Sequence, residues 1–164
     1  MANSKAARKW SELRNTPVIV PKQGRTLGTV EDFYFKPGTN SVYALCVRMP
    51  VLGNRSLPVT AIQTIDAKGI SIDSEQMLIK ALPPLPTSQN LHGSKVVSDN
   101  GTEVGTVDEI LLNIDPPVAM RIAGLELAGK TLGHRGQKGF SAEAISGYDD
   151  DAVVIHDSIA RRLH

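Results

Sequence analysis

The sequence predicts an all-β protein: two tandem small β-barrels with short flanking helices. Three observations predict it. One pattern of glycines, acidic residues and apolar residues is written twice. Each copy reads as short strands divided by turn residues. A proline-rich stretch, residues 81–90, lies between the copies.

The repeat is plain when Gly24 is set on Gly101, an offset of 77. "GRTLGTVEDF" then lies on "GTEVGTVDEI". Gly28 meets Gly105, Val30 meets Val107, and Phe33 and Phe35 meet Ile110 and Leu112. Ile19 and Val20 meet Val96 and Val97, while Leu13 meets Leu91 only with a slip of one residue. Further on the offset becomes 83, where Ile70, Ser71 and Ile72 meet Val153, Val154 and Ile155. The extra residues are expected within "LAGKTLGHRGQKG", since a longer loop adds little closure entropy. A unit repeated at such a period points to two homologous domains, 11–80 and 91–164. "ALPPLPTSQN" between them reads as a stiff linker, because its prolines continue neither a helix nor a central strand.

Within the first copy, "TPVIVP" is a strand ended by Pro21. "PKQG" turns the chain into "TLGTVEDFYFK", and "PGTN" turns it into "SVYALCVRM". These are turn residues with a mechanism: a fixed φ at proline, then residues that tolerate positive φ. In the third strand Tyr43, Leu45, Val47 and Met49 alternate with Val42, Ala44, Cys46 and Arg48. One face is fully apolar and the other small, as suits a strongly curved sheet. "LPVTAIQTID" and "GISID" supply two more strands. Ser74 can cap a helix over "EQMLIKAL", and Asp157 or Ser158 one over "IARRLH". "SKAARKWSELR" can form a turn or two of helix ahead of the first copy. Five or six short strands in so few residues favour a barrel, which also removes sheet edges.

These residues resemble the PRC-barrel domain family. The family is named for the cytoplasmic barrel of the photosynthetic reaction-centre H subunit, and it includes the C-terminal domain of a ribosome maturation factor. The first copy carries the resemblance at Leu13, Val18 to Val20, Gly24, Leu27, Gly28, Val30, Asp32, Val42, Ala44, Leu45 and Val47. The second carries it at Leu91, Gly93, Val96, Val97, Asp99, Gly101, Val104, Gly105, Val107 and Asp108, and departs from it at "DPPVAMRIAGLELAG". The resemblance implies a non-enzymatic adaptor that docks on a protein complex, such as a photosynthetic or membrane-associated assembly. Its other branch implies an RNA-processing or ribosome-assembly factor. The family's barrels can pair, which implies a homodimer or an intramolecular pseudo-dimer.

The residues themselves point away from chemistry. Neither Gly24 and Gly28 nor Gly101 and Gly105 has phosphate-loop spacing, and strand-like sequence follows both pairs. Gly24 and Gly101 are expected to supply positive φ in hairpin turns. Gly28 and Gly105 are expected at a bulge or a close backbone approach. Glu31-Asp32 and Asp108-Glu109 are adjacent on strands, so neither forms a carboxylate dyad; one member of each pair is expected to accept a hydrogen bond from a turn. Asp149 to Asp151 match the hairpin turn at Asp66 better than a calcium loop. His92, His134, His156 and His164 lack metal-ligand spacing, and no cysteine partners them. No cofactor, metal or catalytic residue is expected.

Cys46 is the sole cysteine, so no internal disulfide forms, as fits a reducing compartment. Its apolar surroundings predict an inert, buried thiol. No apolar run approaches a membrane span, and no apolar segment follows the basic start. A cytoplasmic protein, peripheral to any membrane complex, is expected. The net charge of +1 is no match for nucleic acid. It is unevenly spread: residues 1–80 hold 11 Lys and Arg against 6 Asp and Glu, and residues 81–164 hold 7 against 11. That polarity is either surface drift or an orienting field for a partner. The candidate partner contacts are Trp10 and the glycine-rich loop 129–139, with Lys130, His134, Arg135 and Lys138. That loop is either a solvated hairpin tip or a contact surface. It lacks the aromatic residues that stack on single-stranded RNA.

Overall fold

The computed structural model describes residues 7–128, 139–149 and 151–163. Lys130, His134, Arg135 and Lys138 lie outside them. The strand-forming runs become strands where alternation is apolar, and break at the expected turn residues. The first copy forms β2 (Pro17–Val20), β3 (Arg25–Lys36), β4 (Ser41–Met49), β5 (Gly53–Pro58), β6 (Ile62–Asp66) and β7 (Gly69–Ile72). The second forms β8 (Lys95–Ser98), β9 (Glu103–Asn113), β10 (Arg121–Ala128), β11 (Gly139–Ser141), β12 (Ile145–Tyr148) and β13 (Ala152–Ile155). Before each copy lies a short helix, α1 (Trp10–Leu13) or α2 (Ser88–Leu91), and β1 (Ala7–Lys9) precedes α1. α3 (Asp157–Ala160) follows β13.

Some local expectations change. "LPVTAIQTID" is two strands, because a 3-10 turn at Val59–Ala61 interrupts it. "EQMLIKAL" is only a 3-10 turn at Glu75–Met77, and Ser74 makes no side-chain cap. Residue His156, not Asp157 or Ser158, holds the cap position of α3. Asp157 instead pairs with Arg161 one turn on.

The strands join in one large, open, mixed sheet, ordered β12-β13-β8-β9-β10-β4-β3-β2-β7-β6, with β1, β5 and β11 pairing off this path. Among the described residues no ring of pairings closes around either copy. Instead the copies meet edge to edge, β4 against β10, at Ser41 and Arg121. Val42 N–H donates to Met120 O (3.0 Å) and Ile122 N–H to Asn40 O (2.8 Å). Each of these bonds maps onto the other when the copies exchange places at an offset of 80, so a pseudo-twofold axis passes through the junction.

Strand register also relocates the repeat's insertions. Val18 faces Gly28 and Val96 faces Gly105, so the first strands match at an offset of 78. The one-residue slip therefore falls in the turn after them, and Val18 rather than Ile19 matches Val96. β4 and β10 match at 80, which places three extra residues in the turn between β9 and β10. Only the remainder of the change to 83 falls between Ala128 and Gly139.

One apolar cluster holds residues of both copies, from Trp10 and Val18 through Phe33 and Leu45 to Leu125, Ile155 and Leu163. A row of aromatic rings crosses it. Trp10 meets Phe33 edge-on at 5.0 Å, Phe33 meets Phe35 at 6.1 Å, and Phe35 meets Tyr148 of the second copy at 5.6 Å. Such contacts add to area burial. The Tyr148 hydroxyl donates to Asn40 Oδ1 at 2.6 Å.

The segments ahead of each copy are exchanged. β1 pairs with β9, Lys9 opposite Leu111, whereas Thr87 pairs with Tyr34 of β3. Phe35 N–H donates to Pro86 O at 3.0 Å. After its helix each segment returns to its own copy: Asn15 N–H bonds Val30 O, and Gly93 N–H bonds Val107 O. Residues 81–90 are therefore not a bare linker, since their second half is the arm that crosses the junction.

Candidate protein-docking surface

The outer face of the sheet over β3, β4 and β5 owes its shape to a bulge. Tyr34 pairs with Ala44 and Phe35 with Val42, so Tyr43 is the extra residue. The bulge reverses the alternation at that point. Val42 and Leu45 both enter the main core, and Tyr43 turns outward, 44% exposed. The expectation that Tyr43 shares the apolar face of Leu45 and Val47 fails for this reason. Lys36 Nζ lies over the Tyr43 ring, 5.1 Å from its centre, within cation–π range.

On the same face, Tyr34, Ala44 and Cys46 form a small second cluster, on which Leu85 of the proline-rich stretch packs. Burial pushes the Tyr34 hydroxyl up to about 12 and raises the Cys46 thiol as well. Both groups are therefore held in their neutral forms at physiological pH. Next to the Leu85 contact the chain leaves a groove of about 450 Å³. Tyr43, Pro58, Ile79, Leu82, Pro83 and Pro84 are among the residues that line it. Ile79 and Leu82 are 46% and 47% exposed. Contiguous exposed apolar side chains of this kind mark interaction surfaces. The prolines hold their wall without a large loss of backbone freedom on binding.

The groove is flanked by a strand edge already in use. Ser56 N–H donates to Ile79 O, and Ile79 N–H to Ser56 O, both at 2.8 Å. Asn54 O accepts from the Arg55 guanidinium at 3.1 Å. Glu31, one of the acidic pair, accepts from the Asn54 side-chain amide at 3.1 Å beyond the groove.

The other sequence candidates lie elsewhere. Trp10 is only 8% exposed and is a core residue. It touches a second cleft, about 430 Å³, between α1 and α2, which Ser11, Arg14, Ser88, His92, Asp108 and Glu109 also line. One carboxylate of each acidic pair serves an exchanged arm. Asp32 Oδ1, buried, accepts from Phe33 N–H (2.7 Å), from Ser88 N–H (3.0 Å) and from the Ser88 hydroxyl. Glu109 Oε1 accepts from Ile110 N–H (3.1 Å) and Ser11 N–H (3.2 Å). Each acid thus accepts from an N-terminal amide of the short helix ahead of the other copy. No sequence signal names that partner; only the equivalent positions of the two acids hint at a shared role.

Gly24 has φ +61° at the end of a 3-10 turn, and Gly101 has φ +95°. Gly28 and Gly105 lie opposite irregular register, where a Cβ would strike the carbonyl of Arg48 or of Ala128. His92 lines the second cleft, and His156 lies 3.8 Å from Asp99. His134 and His164 lie outside the described residues. Asp149 N–H donates to Ala152 O in a turn. Among the described residues no helix is long and apolar enough to cross a membrane. Compared with protein-family models and with curated sequences, the chain matches none.

Proposed function

We propose that the chain is a non-enzymatic adaptor of two PRC-type β-barrel units, 11–80 and 91–164, which docks on a protein complex. The observation that carries the docking reading is the exposed apolar groove of Tyr43, Ile79 and Leu82, walled by prolines. A surface of this composition loses water favourably when a partner covers it. The resemblance adds the class of partner, a photosynthetic or membrane-associated assembly.

Photo-crosslinking from position 43 in cells tests this. A benzophenone amino acid in place of Tyr43 is expected to capture one predominant protein, and capture is expected to survive nuclease treatment. Substituting Leu82→Arg in the same chain is expected to abolish it. Capture of ribosomal proteins that disappears on nuclease treatment would contradict the adaptor reading and favour a ribosome-assembly factor.

A further inference from the structure

We infer that the groove takes an apolar peptide segment bearing a carboxylate, and that it holds the segment by its side chains and not as an added strand. This rests on the docking reading above. The cations come first. Lys36 lines the groove, Lys80 is exposed between Ile79 and Ala81, and no acidic residue is among the lining side chains. Residues 1–80 carry five more cations than anions. An incoming carboxylate meets opposite charge beside an apolar surface that lowers the local dielectric. Phosphate-rich nucleic acid fits less well, since the walls are Pro58, Ile79, Leu82, Pro83 and Pro84 rather than a track of cations.

The mode of binding follows from the backbone. Strand addition needs a free edge. On β5 the Ser56 amide and carbonyl are both bonded to Ile79, Pro58 has no N–H, and the Asn54 carbonyl is bonded to Arg55. Ser56, which lines the groove, therefore offers no free backbone group, and the groove presents the side chains of Tyr43, Ile79 and Leu82.

A display library of random linear peptides, selected on the full chain and counter-selected on Tyr43→Asp/Leu82→Asp protein, tests this. Enriched peptides are expected to pair apolar residues with Asp or Glu. Charge reversal by Lys36→Glu with Lys80→Glu is expected to weaken them about three- to tenfold. N-methylation of single peptide amides is expected to change binding by less than about twofold, because those amides make no ladder. Carboxylate-free peptides, or affinity indifferent to charge reversal, would overturn the electrostatic part while leaving docking intact. Loss of binding on methylation at alternate amides would overturn the side-chain mode. No enrichment over the counter-selection would remove the docking reading itself.

Discussion

Asp32 and Glu109 hold equivalent places on β3 and β9, yet burial divides them. Asp32 is enclosed and satisfies two amides and a hydroxyl, whereas the bond from Glu109 to Ser11 is exposed. Removing a buried acceptor strands its donors, at a cost of about 3 kcal/mol. Removing an exposed helix-end acceptor costs about 1 kcal/mol or less. Urea denaturation is expected to rank Asp32→Ala well below Glu109→Ala in stability; equal losses would contradict the assignment. The glycines divide likewise. Gly28→Ala forces a methyl onto the Arg48 carbonyl and is expected to cost about 2 kcal/mol or more. Gly24→Ala has open space and costs about 1 kcal/mol for its left-handed backbone. Tyr34 predicts a pH effect. Its folded value near 12 lies above the ordinary 10.0. Stability from its burial is therefore full below pH 10 and falls as pH rises toward 12. Tyr34→Phe is expected to flatten that decline in urea midpoints; an unchanged slope would contradict the burial argument.

At the scale of elements, the exchanged arms carry unequal loads. Trp10 packs edge-on to Phe33 inside the core, so Trp10→Ala is expected to cost about 3–5 kcal/mol. Truncation after Lys9 removes β1 but keeps α1, and is expected to cost clearly less, because Arg8 and Lys9 are exposed. Urea midpoints distinguish the two, and the reverse order would show that strand pairing and not the tryptophan anchors the arm. The sequence shows these elements unevenly. β2, β3 and β4 are legible because apolar alternation ends at Pro21 and at the "PGTN" turn. The bulge at Tyr43 is not, because alternation alone cannot mark where a register slips. The arms are not legible either. "TSQNL" carries a helix start, with Thr87 and Asn90 bonded reciprocally, but local pattern says nothing of which copy receives it. The groove was hidden for a related reason. Its proline wall reads as linker until Leu85 is seen packed on Tyr34 and Cys46.

For the whole molecule, the repeat makes a pair of units legible but not their union. Edge pairing of β4 with β10 is set by only a few backbone bonds, which no side-chain periodicity announces. The exchange of arms and the aromatic row from Trp10 to Tyr148 tie both copies into one apolar cluster. A chain so built is expected to unfold as one unit. Trp10, the sole tryptophan, sits on an exchanged arm and reports on the junction. The most direct measurement follows urea unfolding by Trp10 fluorescence and by far-ultraviolet circular dichroism on the same sample. The expected result is a single transition with coincident midpoints. Two separated transitions, with the fluorescence change confined to one of them, would contradict the union of the two copies through their exchanged arms.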